Sequence, residues 1–106
     1  MKFKNEIILI GKIKNSPHTV ARQDGTHMST FSLITEDIQG NAQEHIIIAI
    51  GELSTVIEVS GQPQKVIYLR GSLTYSSNDI KRVSRIIAED IVIVWDGQHY
   101  SQRLKS

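Results

Sequence analysis

The sequence contains no cysteine. That excludes a disulfide framework and the thiolate classes of zinc site. Aromatic residues are scarce, at 6% of the chain, which limits any surface built on ring stacking. No apolar run is long enough to span a membrane, and Met1–Glu6 leads into a run too short for a signal peptide. A soluble, cytoplasmic protein without membrane association is therefore expected. His18, His27, His45 and His99 show no metal spacing such as His-x-x-x-His, so ordinary turn and strand roles are expected for them. There is no phosphate loop, no nucleophile elbow and no pair of carboxylates at a predicted cleft. Glu89 and Asp90 are adjacent on a predicted strand, which directs their side chains to opposite faces. The chain therefore reads as a non-enzyme with no cofactor and no metal.

What remains is enough for one domain. The 106 residues, 40% of them hydrophobic, can bury a real though not generous core. The net charge of +1 says little, but its distribution says more. Residues 1–35 carry five basic and two acidic side chains, and residues 65–106 carry seven and four. Residues 36–64 carry five acidic residues and no Lys or Arg. Two readings stand: basic ends that meet in space to form a phosphate-attracting groove, or ordinary solvated charge.

The pattern is strand-like almost throughout, with no repeat, low-complexity tract or linker. Ile7 to Lys14 reads as a first strand, with Ile13 on one face and Lys12 and Lys14 on the other. Asn15-Ser16-Pro17 breaks it, because proline cannot donate to a ladder. Asp24-Gly25 is a turn signal. Thr26 to Thr35 reads as the second strand, Phe31 and Leu33 facing one way and Thr30 and Ser32 the other. Asp37 to Gln43 reads as a hairpin tip, and His45 to Ile50 as a third strand buried on both faces. Gly51 to Val59 is the one helix, with Leu53, Val56 and Ile57 at helical spacing. Val66 to Thr74 is the fourth strand, with Gly71 at a bulge or bend. Tyr75 to Arg82 is a polar, basic loop. Val83 to Val94 is the last strand, interrupted at Ala88-Glu89-Asp90.

Three strands, a short helix and two strands match an all-β fold, the five-stranded Greek-key barrel called the OB-fold, whose helix lies between strands 3 and 4. The domain is expected over residues 1–97, with a short flexible tail over 98–106.

Five stretches carry a family resemblance. They are Asn5-Glu6-Ile7-Ile8-Leu9-Ile10-Gly11-Lys12-Ile13, Asp24-Gly25 with Ser29-Thr30-Phe31-Ser32-Leu33, Ile47-Ile48-Ala49-Ile50-Gly51-Glu52-Leu53, Tyr68-Leu69-Arg70-Gly71-Ser72-Leu73 and Ile86-Ile87-Ala88-Glu89-Asp90-Ile91. In this order and spacing they resemble the bacterial single-stranded-DNA-binding (SSB) family from about residue 5 to about residue 94. The resemblance implies single-stranded DNA binding in replication, replication restart or recombination. It departs at Gln39, Glu44 and Ile50, where the family tends to place base-stacking aromatics. The acidic tail of housekeeping SSB proteins is absent, the sequence ending Arg103-Leu104-Lys105-Ser106. These departures resemble the PriB-like primosomal branch, which is dimeric, tailless and binds DNA largely through lysines. A divergent tailless SSB and a PriB-like protein both stay open. The resemblance also implies a homodimer, or a higher homo-oligomer, and replication or primosome proteins as partners.

The candidate DNA-binding residues are Lys12, Lys14, Arg22, Arg70, Tyr75, Lys81, Arg82 and Arg85. Lys12 and Lys14 either touch the DNA backbone or keep a strand edge soluble. Lys81, Arg82 and Arg85 lie in or beside a loop that OB-folds use for oligonucleotides. Tyr75 either stacks a base or caps the barrel, and Trp95 is expected to pack against the barrel end. Arg22 completes the set with Arg70, which has an alternative partner in a carboxylate of the middle segment. Binding through cations should fall steeply with salt. The rival reading is an OB-fold adaptor that binds protein and little or no DNA.

Overall fold

β-Branched residues at alternate positions shape most of the chain. The structure is a computed structural model and describes residues 3–75 and 84–95, with the backbone alone for Trp95. The elements are β1 (Ile7–Ile13), β2 (His18–Ala21), β3 (His27–Glu36), β4 (Ala42–Ile50), α1 (Glu52–Ser60), β5 (Val66–Tyr75) and β6 (Ser84–Trp95). Ile13, Phe31, Leu33, Ile47, Ala49, Ile67 and Leu69 all point inward, two residues apart within each strand that supplies more than one of them. With Ile57, Ile86, Ala88 and Ile91 they form a single core.

The hydrogen-bonded order is β1-β5-β6-β4-β3-β2, and a β1–β3 pairing closes the ring. This is the five-stranded OB-fold barrel expected from the sequence, its helix placed between β4 and β5. β3–β4 and β5–β6 are long antiparallel ladders. The two closures are much thinner. β1 meets β3 only at Lys12↔Ile34 and Ile13↔Leu33, and β4 meets β6, in parallel, only at Ile47↔Ile86 and Ile48↔Ile87.

Several expectations need correction. Asn15-Ser16-Pro17 interrupts the first strand without ending it. Past the break the chain resumes as β2, which pairs with the first half of β3 from His18↔Thr30 to Ala21↔His27. β1 and β2 thus act as two halves of one barrel strand, both laid along β3. The third strand is buried on one face only: Ile47 and Ala49 are fully covered, Ile46 and Ile48 half-buried, and Ile50 exposed. Its start at Ala42 takes up residues assigned to the hairpin tip.

The last strand is continuous. Its register shifts where Arg70 faces Asp90 and Gly71 faces Ala88, leaving Glu89 as the extra residue of a bulge. Ala88 and Ile91 both point into the core. The bulge therefore turns both Glu89 and Asp90 away from it, where strict alternation would have split them.

Two glycines permit close approaches. A Cβ on Gly11 would overlap the carbonyl oxygen of Ile34, at the point where β1 leaves β5 for β3. A Cβ on Gly71 would overlap the carbonyl oxygen of Ile87, beside the β6 bulge.

The helix closes one end of the barrel. Ile57 and Ser54 are its buried residues, whereas Val56, expected on the apolar arc, is 41% exposed. The Ser54 hydroxyl lies 2.7 Å from that of Ser29, which lies 2.6 Å from that of Thr19. This chain of hydroxyls joins α1, β3 and β2 through an otherwise apolar interior. Gly61 ends the helix, its N–H donating to the Ile57 carbonyl at 2.8 Å. Among the described residues no helix is long and apolar enough to cross a membrane.

Candidate nucleic-acid interface

The outer face of β3 and β4 is the wall that the candidate cations flank. Register fixes its layout. One row runs Val66, Lys12, Ile34, Glu44 across β5, β1, β3 and β4. The next pairs Ser32 with Ile46, and the Ser32 carbonyl accepts the Lys14 N–H at 2.9 Å. A third runs His18, Thr30, Ile48, Ile87, Ser72 across β2, β3, β4, β6 and β5. Val20, Met28 and Ile50 form the last. The wall is thus mainly aliphatic, with Thr30 and Ser32 as hydroxyl donors.

Lys12 and Lys14 both stand exposed on this face, beside a groove of about 600 Å³ that also takes in Ile34, Glu36 and Gln64. Arg85 lies two residues before Ile87 on β6, half-buried, next to Thr74 of β5. Three strand steps separate the lysines from Arg85, about 14 Å along the wall. The first and last parts of the sequence therefore do bring cations to opposite margins of one surface.

The other candidates are placed differently. Arg22 is at the β2–β3 turn, which holds itself: Asp24 accepts from the Thr26 hydroxyl at 2.6 Å and the Thr26 N–H at 3.0 Å. Those bonds, the hydroxyl first, set the Asp24 carboxyl below its usual range. Arg70 is on the outer face of the β1–β5–β6 sheet. Its guanidinium lies 3.1 Å from Glu89 and 3.9 Å from Glu6. The expected partner in the middle segment is therefore replaced by carboxylates from both chain ends, because β5 lies between β1 and β6. Tyr75 is 47% exposed at the end of β5, opposite Ser84. Lys81, Arg82, the 98–106 tail and the Trp95 side chain lie outside the described residues.

The acidic middle segment reaches the wall. Lys14 Nζ donates to Glu44 Oε1 at 2.9 Å. That bond, with a second from the Ser32 hydroxyl, holds the Glu44 carboxyl below the usual carboxylate range. Asp37 caps the β3–β4 turn, accepting the Asn41 N–H at 2.8 Å and the Gln39 N–H at 2.9 Å. The Asn41 bond is the main reason its carboxyl also lies low.

Some of this layout escaped the sequence reading. Alternation had already turned Thr30 and Ser32 outward, and that was the signal for two wall hydroxyls. Nothing local marked Glu44 as the partner of Lys14, since the pair depends on β1 crossing onto β3. Among the described residues no group of three or more His, Asp or Glu is arranged to hold a metal ion.

No protein-family model and no curated protein matches the sequence. Among solved structures, the crystal structure of the SSB domain of a Synechococcus sp. protein is similar, with a TM-score of 0.73 at 14% identity. The match covers 86% of this chain and 97% of that one. At that identity the likeness speaks for the fold.

Proposed function

We propose that this chain is a non-enzymatic single-stranded-DNA-binding protein that tracks phosphates across the outer wall of β3 and β4. The observation that carries the reading is the placement of Lys12 and Lys14 on one margin of that wall and Arg85 on the other. The similarity of the fold to an SSB domain supports it. Lys12 and Arg85 contact phosphate directly. Lys14, held by Glu44 at 2.9 Å, contributes less. Arg22 and Tyr75 extend the track at the β2–β3 turn and the end of β5, Lys81 and Arg82 stay candidates from the sequence, and Arg70, engaged by Glu6 and Glu89, contributes least.

Anisotropy titration of labelled oligo-dT at several salt concentrations tests this. Binding should weaken with a log–log slope of about 0.7 per phosphate neutralised, and Lys12→Ala and Arg85→Ala should each remove about one such contact. No binding at micromolar protein and low salt would overturn the reading.

The role is in replication, replication restart or recombination, and the scarcity of stacking aromatics favours the PriB-like branch over a housekeeping SSB. Capture of a replication-restart helicase by the protein separates the two. A homodimer completes the reading. Ile8, Ile10 and Val92 stand 55%, 62% and 50% exposed on the outer face of the β1–β5–β6 sheet. The carboxylates on that face, Glu6 and Glu89, are held on Arg70, which leaves the aliphatic side chains as its contact surface.

One observation favours a second reading, an adaptor that binds protein. The β3–β4 wall bears Met28, Ile34, Ile46, Ile48 and Ile50 and no aromatic ring. Such a surface suits an apolar partner as well as a nucleic acid, and the same titration decides between them.

A further inference from the structure

Resting on the reading just given, we infer that Glu44 limits nucleic-acid binding by holding Lys14 in an ion pair on the wall itself. The row Lys12, Ile34, Glu44 places this carboxylate two strands in from β1, between the lysines and the β6 margin that carries Arg85. Its bond to Lys14 Nζ, at 2.9 Å, is the shortest ion pair among the described residues. Both side chains are about half exposed, so the pair is open to competition from an incoming phosphate. A strand lying on the wall meets a negative charge where the two flanking lysines would otherwise act together. To use Lys14 it must displace Glu44 and then tolerate the freed carboxylate nearby. The arrangement lowers affinity for any polyanion and leaves the β6 side of the wall as the stronger phosphate site.

Glu36 supplies the comparison. It stands exposed on the same outer face, opposite Ala42 and near the β3–β4 turn. No lysine or arginine lies within ion-pair distance of it among the described residues. Neutralising Glu36 changes the net charge as much as neutralising Glu44, without releasing a lysine.

The experiment is oligo-dT titration of the wild-type chain, Glu44→Gln, Glu36→Gln and Lys14→Met/Glu44→Gln over a salt series, with Lys14→Met as reference. Glu44→Gln should bind about threefold tighter, with the salt slope steeper by about 0.7, one additional phosphate contact. Glu36→Gln should change affinity by less than about twofold. In the Lys14→Met background the gain from Glu44→Gln should vanish. Equal gains from the two Gln variants, or a gain that survives in the Lys14→Met background, would reduce Glu44 to bulk charge and overturn the inference. Wild-type binding that Glu44→Gln leaves unchanged would overturn it alone, with the proposed function intact. Silence from both proteins at low salt would defeat the proposed function and this inference with it. Thermal melts of each variant check that the barrel is folded.

Discussion

Gly71 has the carbonyl oxygen of Ile87 where a side chain would begin. Any Cβ must push β5 away from β6 beside the bulge, in a wall that lies against buried Leu69 and Ala88. Gly71→Ala should therefore destabilise the fold by about 1–3 kcal/mol. Urea unfolding should show a lower midpoint with an unchanged slope, whereas an unaltered midpoint would mean that the strands yield freely. The glycine was legible in the sequence because an apolar strand pattern rarely contains one without a backbone reason. The Arg70 partners were not. Glu6 and Glu89 lie 64 and 19 positions away along the chain, and only the order of β1, β5 and β6 brings them to one guanidinium.

At the scale of elements, α1 shows how context reverses a periodic reading. Nine residues make a helix too short to persist alone, so its packing decides its orientation. The barrel offers it the Ser29 hydroxyl, and Ser54 turns inward to meet it while Val56 turns out. Ser29→Ala removes the shared member of the chain and leaves Thr19 and Ser54 each without that partner. It should cost about 2 kcal/mol, and Ser54→Ala, which leaves the Thr19–Ser29 bond in place, about 1 kcal/mol. Denaturant unfolding of the two variants checks the order, and equal losses would mean that the hydroxyls act separately. β2 was equally hard to read. His18–Ala21 is short and partly polar, and it is a strand only because the first half of β3 presents an open edge.

For the whole molecule, the fold was largely legible because strand alternation, one helix and their order suffice to select the barrel. The candidate site was legible in part. Charge segregation along the chain suggested that distant cations meet, and Lys12, Lys14 and Arg85 do share a surface. That the acidic middle segment would reach the same surface depended on β4 lying beside β3. The exposed aliphatic face of β1, β5 and β6 belongs to this scale as well, since apolar side chains grouped on one sheet favour self-association. Ile10→Asp should shift the chain from dimer toward monomer in sedimentation velocity at micromolar concentration, with the far-ultraviolet spectrum unchanged. A wild-type chain that sediments as a monomer would remove the homodimer from the proposal.

Two residue pairs join β4 to β6, and two join β1 to β3 before β2 takes over along β3. They divide the barrel like a book with two narrow spines: one leaf is β3 with β4, the other β1, β5 and β6. Lys12 and Arg85 belong to the second leaf, whereas Lys14 is bonded to the first through Ser32 and Glu44, and the aliphatic wall belongs to the first. Any slackening of either spine moves the cations of the second leaf relative to the wall, while the hydroxyls and isoleucines keep their own spacing. The grip on a charged strand and the platform beneath it are thus adjustable independently.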